Sequence, residues 1–468
     1  MFTQRRGDAE EKIIINMKKH IVLLCAILMT SVNLFAQTIS LEQVRVLALA
    51  NSRSLAIANL SVQSSALGEK SQLYTMLPKV AADYKASTSY LNKERNSDLH
   101  FQNMADTFGA DVNLRVTQKI FDGGKMFLEK DLAAIATESA RKGATKEFFA
   151  VLDSADNAFY AVLEAAATLE AEESSLETSL ASLSIAEIRQ SNGMINQGDY
   201  LKALADKESR ENSRNQARRN LALNISKLKT LTGLNDIPPP EQIDFSGYEE
   251  LILHLGNISD EDADTLYERF WKILVIANPT LASASLRSQS AAKNLSIEKR
   301  NYLPEINASV FSTSLGYTRA NGFGTTAGGG FSLTGTIPLD FWVMSNKIDQ
   351  KKIALDSAAL GYLESESQLE LELQSALLTC FANAGSVLSS LRSLEYTEKH
   401  FEFVFERYRL SQSSISDLNE ASTLLINSRN SLTRSRYGFL QSLSKLRSLG
   451  AIDDERRLLD ILTGNLIP

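Results

Sequence analysis

Proline is missing from two long tracts of this chain, and the helical periodicity inside them runs for a length that few folds can house. Lys125 to Asn192 is 68 residues without a breaker, and Val343 to Leu410 is 68 again. At about 1.5 Å per residue each tract spans roughly 100 Å if continuous. No single compact core made by a chain of 468 residues has that dimension. The sequence therefore predicts an elongated, mainly helical protein, and its 44% hydrophobic and 22% charged content excludes wholesale disorder.

The tracts match because the chain is duplicated. The first is followed by RQSNGMINQGDYLKA from Arg189, the second by RYRLSQSSISDLNEA from Arg407, 218 residues later. In each, Arg and Asp stand ten residues apart (Arg189 and Asp199, Arg407 and Asp417), with Ala203 or Ala421 four further on. Upstream, Leu55 precedes Pro78 by 23 residues and Leu281 precedes Pro304 by 23. An offset held over most of a chain signals internal repetition.

Period-two alternation follows each proline, the mark of a strand. Val80, Ala82, Tyr84, Ala86 and Tyr90 share one face, then Val112, Leu114, Val116 and Ile120 after a polar loop. In the second half Phe311, Leu315 and Tyr317 alternate with polar or small residues. Phe331, Leu333 and Ile337 do so after the glycine-rich loop RANGFGTTAGGG. Each half thus predicts one hairpin, with strands of about 9–11 residues, the length of a tilted membrane strand. Helices Leu41–Leu77 and Asp199–Leu231, laid end to end, match the first long tract. Gly233 and Gly450 suit helix C-caps. The opening stretches then lie where the chain reverses at a helical tip, turned by Gly193 in one half and by Ser411 in the other.

The predicted layout is a leader over 1–36, a first repeat over 37–234 with its hairpin at 79–120, and a linker over 235–264 that holds three consecutive prolines. A second repeat over 265–452, with its hairpin at 305–338, and a tail over 453–468 complete it. The leader is read from Met17: MKKH supplies the positive region, IVLLCAILMTSV the apolar one and Ala36 the cleavage position. A lipid-modified Cys25 is the alternative, but the residue before it is Leu24 rather than a small one. Removing 1–36 takes five basic and three acidic residues, so the net charge moves from −7 to −9, which argues against a nucleic-acid partner. Only Cys380 then remains, so no disulfide forms within the chain.

Enzyme readings fare poorly. His20, His100, His254 and His400 are scattered without metal-ligand spacing. GEKS at Gly68 lacks the rest of a phosphate loop, and GFGTTA at Gly322 sits between strands with no helix after it. No cofactor or metal is called for.

Four strands cannot close a barrel, and in a bilayer an open edge leaves backbone groups unpaired. The hairpins either stay out of the membrane or pool with those of other copies. At this point the chain resembles the TolC family of outer-membrane efflux proteins over Thr38 to Ile452. The resemblance rests on the duplicated order, the junctions TQKIFDGGK and TIPLDFW, the tip pattern R-x-x-x-G-x-x-x-x-x-D, and the LTGL and SLGAI endings. It implies a homotrimer in which a twelve-stranded barrel in outer-membrane lipid continues into a twelve-helix periplasmic tunnel. That assembly would be the passive exit duct of a tripartite efflux pump or type I secretion system. A periplasmic adaptor (membrane fusion) protein would join it to an inner-membrane transporter of the RND or ABC class.

The resemblance also implies site roles. Asp417 and Glu420 stand where the family narrows its periplasmic aperture, and Asp199 and Tyr408 where it makes aperture-closing contacts. Arg189, Gly193, Arg407 and Ser411 mark the adaptor-docking tips. Ser413 replaces a latch arginine of some members, and Ser411 the usual tip glycine. Simpler roles stand beside these: Asp417 and Glu420 as acids of a first helical turn, Arg189 and Arg407 as caps of helix C-termini, Tyr408 as packing. A periplasmic coiled-coil scaffold that never inserts is the alternative function. The leader reading has a direct check: intact-mass measurement of membrane-extracted protein should find Gln37 at the amino end, and retention of Met17 or lipid on Cys25 would refute it.

Overall fold

The computed structural model describes residues 38–90, 106–318, 322–324 and 328–464. The leader expected over 1–36, with Cys25 and His20, lies outside them, as does His100. In chain order the elements are α1 (Leu41–Asn51), α2 (Arg53–Tyr74), β1 (Lys79–Tyr90), β2 (Asp106–Phe121), α3 (Lys125–Ser191) and α4 (Gln197–Thr232). Then come α5 (Glu249–Gly256), α6 (Asp260–Ala277), α7 (Pro279–Lys299), β3 (Glu305–Thr318), β4 (Gly322–Gly324) and β5 (Gly328–Thr336). The chain ends with α8 (Phe341–Arg409), α9 (Ile415–Gly450) and α10 (Glu455–Thr463). The two long tracts are single helices of 67 and 69 residues. No helix among the described residues is long and apolar enough to cross a membrane.

The helix expected from Leu41 to Leu77 is in fact two. Ser52 leaves the helix with extended backbone (φ −68°, ψ 113°), and its hydroxyl accepts from Leu55 N at 3.1 Å to start α2. Asn278, 226 residues on, breaks the second half in the same way (φ −66°, ψ 121°) before Pro279, which disfavours helix in the residue it follows. Asparagine amides at both breaks cap the helix that returns to them. Asn51 Nδ2 donates to Thr230 O and Leu231 O at 3.1 Å each, and Asn278 Nδ2 donates to Leu449 O at 3.0 Å. The expected C-cap glycines diverge. Gly233 takes the left-handed conformation, but in α9 Ala451 takes it (φ 48°), one residue after Gly450. Gly450 serves packing instead: a Cβ there would meet Ile452 Cδ1 at 2.8 Å.

The chain divides into two compact units. One contains residues up to Ala56, Thr145–Asn278 and the chain from Gln368 onward, and among the described residues its named elements are all helices. Its core stacks Phe159 and Leu163 of α3, Phe270 and Leu274 of α6, Leu373 of α8, and Phe439 and Leu446 of α9. Small residues such as Ala155 and Ala384 let helices approach closely. The amphipathic α10 seals one side with Leu458, Ile461 and Leu462. Within this core sits a buried charge cluster. Asp156 accepts from Arg45 (Nε at 2.6 Å, Nη2 at 3.0 Å), from Arg447 Nη2 at 2.8 Å and from Ser444 Oγ at 2.9 Å. Glu42 pairs with the same Arg45 from the surface.

The other unit, Ile57–Ala144 with Pro279–Ser367, carries the sheet. Its order is β1-β2-β3, with both β4 and β5 on the far side of β3. Those two segments pair with β3 in nearly continuous register, Gly324 with Gly316 and Gly328 with Thr313. They form one interrupted strand, so the four expected strands are present, all antiparallel. The glycines read as loop therefore belong to a strand. A Cβ on Gly330 would meet the Phe311 ring at 2.7 Å, which gives that glycine a packing reason.

Register divides the sheet into an apolar row (Val80, Val116, Val310, Phe331) and a polar one (Lys79, Thr117, Ser309, Ser332). Phe311 pairs with Arg115, on the polar register. A bulge at Val112/Asn113 then brings Leu315 opposite Val112, so Phe311 and Leu315 do not share the row expected from simple alternation. At the β2–α3 junction Gly123 and Gly124 have φ of 71° and 76°, and Arg300 Nη1 donates to both of their carbonyls.

Removing the carboxylate from the charge cluster leaves two buried guanidinium groups facing each other. Asp156→Ala should lower unfolding stability by about 3–5 kcal/mol, read by chemical denaturation in detergent. Glu42→Ala, on an exposed partner, should cost under about 1 kcal/mol.

Candidate functional site at the helical tips

The repeated sequence pattern is a cap, a turn and a second cap. At the end of α3, Met194 N donates to Arg189 O at 2.8 Å and Gly193 N to Gln190 O at 2.9 Å. At the end of α8, Gln412 N donates to Arg407 O at 2.8 Å and Ser411 N to Tyr408 O at 3.0 Å. Both are Schellman caps, with the arginine at C3 and a left-handed residue at C′, Gly193 (φ 69°) or Ser411 (φ 63°). The next helix then opens on a side-chain cap. Asn196 Oδ1 accepts from Asp199 N at 2.8 Å, and Ser414 Oγ accepts from Asp417 N at 3.1 Å. The ten-residue spacing of Arg and Asp is the distance from C3 of one helix to N3 of the next.

Both tips pack on one apolar cluster. Leu183, Ala186, Ala203, Val404, Tyr408, Ile415, Leu418 and Ala421 are buried together, so the alanines of the repeated pattern are contact points where helices approach closely. Lys202 Nζ reaches Ser416 Oγ at 3.2 Å, and Arg210 Nη2 reaches Thr423 Oγ1 at 2.8 Å. These ties between α4 and α9 were missed in the sequence. The i,i+4 pair Asp206–Arg210 was the one available signal, and it says nothing of the partner helix.

Asp417 and Glu420 lie exposed, a turn apart, on the first turns of α9. The Asp417 carboxylate accepts from Ser414 N and from the Ser413 hydroxyl, each at 3.0 Å. Those bonds hold it below the usual aspartate value. Asp199 accepts from Asn196 Nδ2 at 3.0 Å and lies 3.8 Å from Lys202 Nζ. Tyr408 is buried in the tip cluster. Burial raises its phenol, and the Asp199 charge raises it further against the opposing Arg189.

The two arginines differ. Arg407 is exposed and donates to Gln412 O within its own turn at 3.0 Å. Arg189 is buried, stacks its guanidinium 4.5 Å over the Tyr408 ring and donates to the carbonyls of Tyr408 and Arg409. The structure thus joins Arg189 to Tyr408 within one chain, while the Asp199 carboxylate bonds Asn196 and Lys202. Asp417 and Glu420 are brought to none of them.

A family model for the outer membrane efflux protein matches residues 44–234 and 273–451. The chain belongs to that family. No curated protein matches the chain. Among solved structures, the CmeC outer membrane channel of Campylobacter jejuni superposes with a TM-score of 0.73 at 15% identity, over 91% of this chain and 90% of that one. CusC gives 0.74 at 16% over 88% and 91%, and VceC of Vibrio cholerae 0.70 at 17% over 88% and 96%. At these identities the likeness is one of fold. As an outer membrane efflux protein, the chain is an exit duct for efflux, set in the outer membrane with its helical part in the periplasm. Channels of the family form trimers and work with adaptors and inner-membrane transporters.

In this efflux protein the two tips share a backbone but not a C′ residue, which gives paired predictions. No atom lies within 4 Å of a Cβ built on Gly193, so Gly193→Ala tests the backbone alone and should destabilise by about 1 kcal/mol. Ser411→Gly should stabilise by a similar amount, about 1 kcal/mol. Denaturant midpoints of the two variants check both signs.

Proposed function

We propose that three copies of this chain pool their sheets into one twelve-stranded barrel across the outer membrane, continued by a twelve-helix periplasmic tunnel. One observation carries the reading. The sheet has two free edges, β1 and the β4/β5 strand, and its apolar row is exposed at Val80, Tyr84, Leu114, Val310, Phe331 and Leu333. In hydrocarbon every backbone N–H and C=O needs a protein partner, so such a sheet spans only when closed. The helices support the same reading. α2 buries none of its residues and exposes Ile57, Leu60, Leu67 and Tyr74 at heptad-like spacing, a stripe suited to a helix of a neighbouring copy. Tyr74, Phe127 and Trp342 are exposed near the strand–helix junctions, where aromatic residues suit the headgroup level.

The duct is passive. A periplasmic adaptor at the tips, around Arg189, Gly193, Arg407 and Ser411, would couple it to an inner-membrane transporter of the RND or ABC class. Asp417 and Glu420, repeated three times around the axis, would ring the periplasmic aperture and select cations. Asp417 also caps α9, and its exposed carboxylate serves both roles.

Native mass spectrometry in detergent should give a trimer, and a monomer that still conducts would rule the assembly out. In planar bilayers Asp417→Asn with Glu420→Gln should weaken cation selectivity and raise the concentration of trivalent cation needed for block from the periplasmic side. Unchanged selectivity and block in a folded trimer would reduce the pair to a helix cap.

A further inference from the structure

We propose that Arg115 and Phe311 form a binding step for aromatic anions inside the barrel, a reading that rests on barrel closure because closure turns the polar face of the sheet inward. With the apolar row of Val80, Val116, Val310 and Phe331 against lipid, the neighbouring register faces the lumen.

That register is polar with one exception. Over residues 79–83, 113–119, 305–311 and 330–336 it carries charged, hydroxyl and amide side chains, the small Ala81 and Gly330, and a single aromatic ring. The ring is Phe311. A large apolar side chain on a wetted face needs a reason, and Gly330 supplies half of one. A Cβ on that glycine would meet Phe311 Cζ at 2.7 Å, Cε1 at 3.1 Å and Cε2 at 3.3 Å, so the ring lies across the backbone of β5. Covering the glycine uses one side of the ring. Phe311 stays partly exposed, and among the described residues no cation stacks on it.

The cross-strand partner of Phe311 on β2 is Arg115. Such partners have Cβ atoms about 4.5–5.5 Å apart, so the guanidinium stem rises beside the ring. Arg115 is exposed and, among the described residues, makes no hydrogen bond or ion pair. Lys119, on the same strand, is by contrast held between Asp122 at 3.7 Å and Glu305 at 3.6 Å. The same row continues to Ala81 on one side and Gly330 on the other, so nothing bulky flanks the pair. On β1 the exposed Lys79 and Asp83 stand one row to either side of Ala81 and offset each other in charge. The charge of Arg115 is left over, and threefold repetition would set three such sites at one height.

A guanidinium presents paired N–H donors to the oxygens of a carboxylate or sulfonate. A phenyl face takes a flat apolar body. Their separation suits a ligand whose anionic group is joined directly to its ring. A small inorganic anion uses only the arginine, and a neutral arene only the phenylalanine. Arene carboxylates and sulfonates use both, and they are the class this site takes.

Naphthalene-1-sulfonate, whose charge does not titrate, serves as the probe, in calorimetric titration of the full-length protein in neutral detergent at low salt. Arg115→Ala removes no contact that the fold uses, and it should weaken binding on the order of tenfold. Phe311→Leu still covers Gly330 but lacks the ring, and it should weaken binding about fivefold. Methanesulfonate, an anion without a ring, should bind at least about tenfold more weakly than the probe, and added salt should weaken the probe itself. Equal affinity in wild type and Arg115→Ala, or no binding by wild type, overturns the site when native mass spectrometry shows a trimer, and the barrel then stands without it. Equal binding of naphthalene-1-methylammonium, a cation on the same ring, assigns the signal to apolar partition and also overturns the site. A protein that proves monomeric removes the barrel and the site together.

Discussion

A backbone amide in hydrocarbon must find a partner inside the protein, and this constraint orders the rest of the molecule. Four antiparallel strands satisfy their inner hydrogen bonds and leave two edges open. Around Val80, Val116, Val310 and Phe331 the register sets an apolar row beside a polar one, which suits lipid on one side and water on the other. A chain built this way has an unfinished sheet and an unfinished helical surface at once, since α2 buries nothing of its own. Both gaps are of the kind that further copies of the same chain fill, and the repeat supplies each copy with two similar halves.

Much of this was legible in the sequence because the signals were periodic or were breakers. Long proline-free tracts gave helices correct to within a residue or two, and alternation gave the strands. The misreadings were local. Ser52 breaks a helix with no proline or glycine near it, and only its hydroxyl bond to Leu55 explains the change. The glycines at 328–330 looked like a loop because strand propensity disfavours glycine, yet Phe311 needs the room. The bulge in β3 shifted Leu315 out of phase with Phe311, and nothing in the residue types marks it.

The tips show a different limit. Arg, Asp and Ala at fixed spacing were visible, and the cap–turn–cap geometry accounts for all of them. The use each half makes of its arginine was not visible, because a C3 arginine satisfies the same backbone pattern whether it bonds its own turn or the neighbouring helix. The Arg45–Asp156–Arg447 cluster was hidden for a related reason. Its members come from α1, α3 and α9, and the position matching Asp156 in the second repeat is Gln374, so no repetition announced it.

The cap–turn–cap module is closed on itself: every backbone bond that shapes the reversal falls between the C3 arginine and the N3 aspartate. Side chains at 190, 192 and 194, or at 410 and 412, contribute little to that geometry and are free to vary, whereas Ile195 packs on the apolar cluster beneath. Shape and surface identity at the tips are thus separately heritable. A lineage can rewrite what a tip displays to its surroundings, in one half and not the other, while the hairpin beneath keeps its form. Duplication followed by divergence on such a cassette gives one chain two differently lettered ends on the same frame.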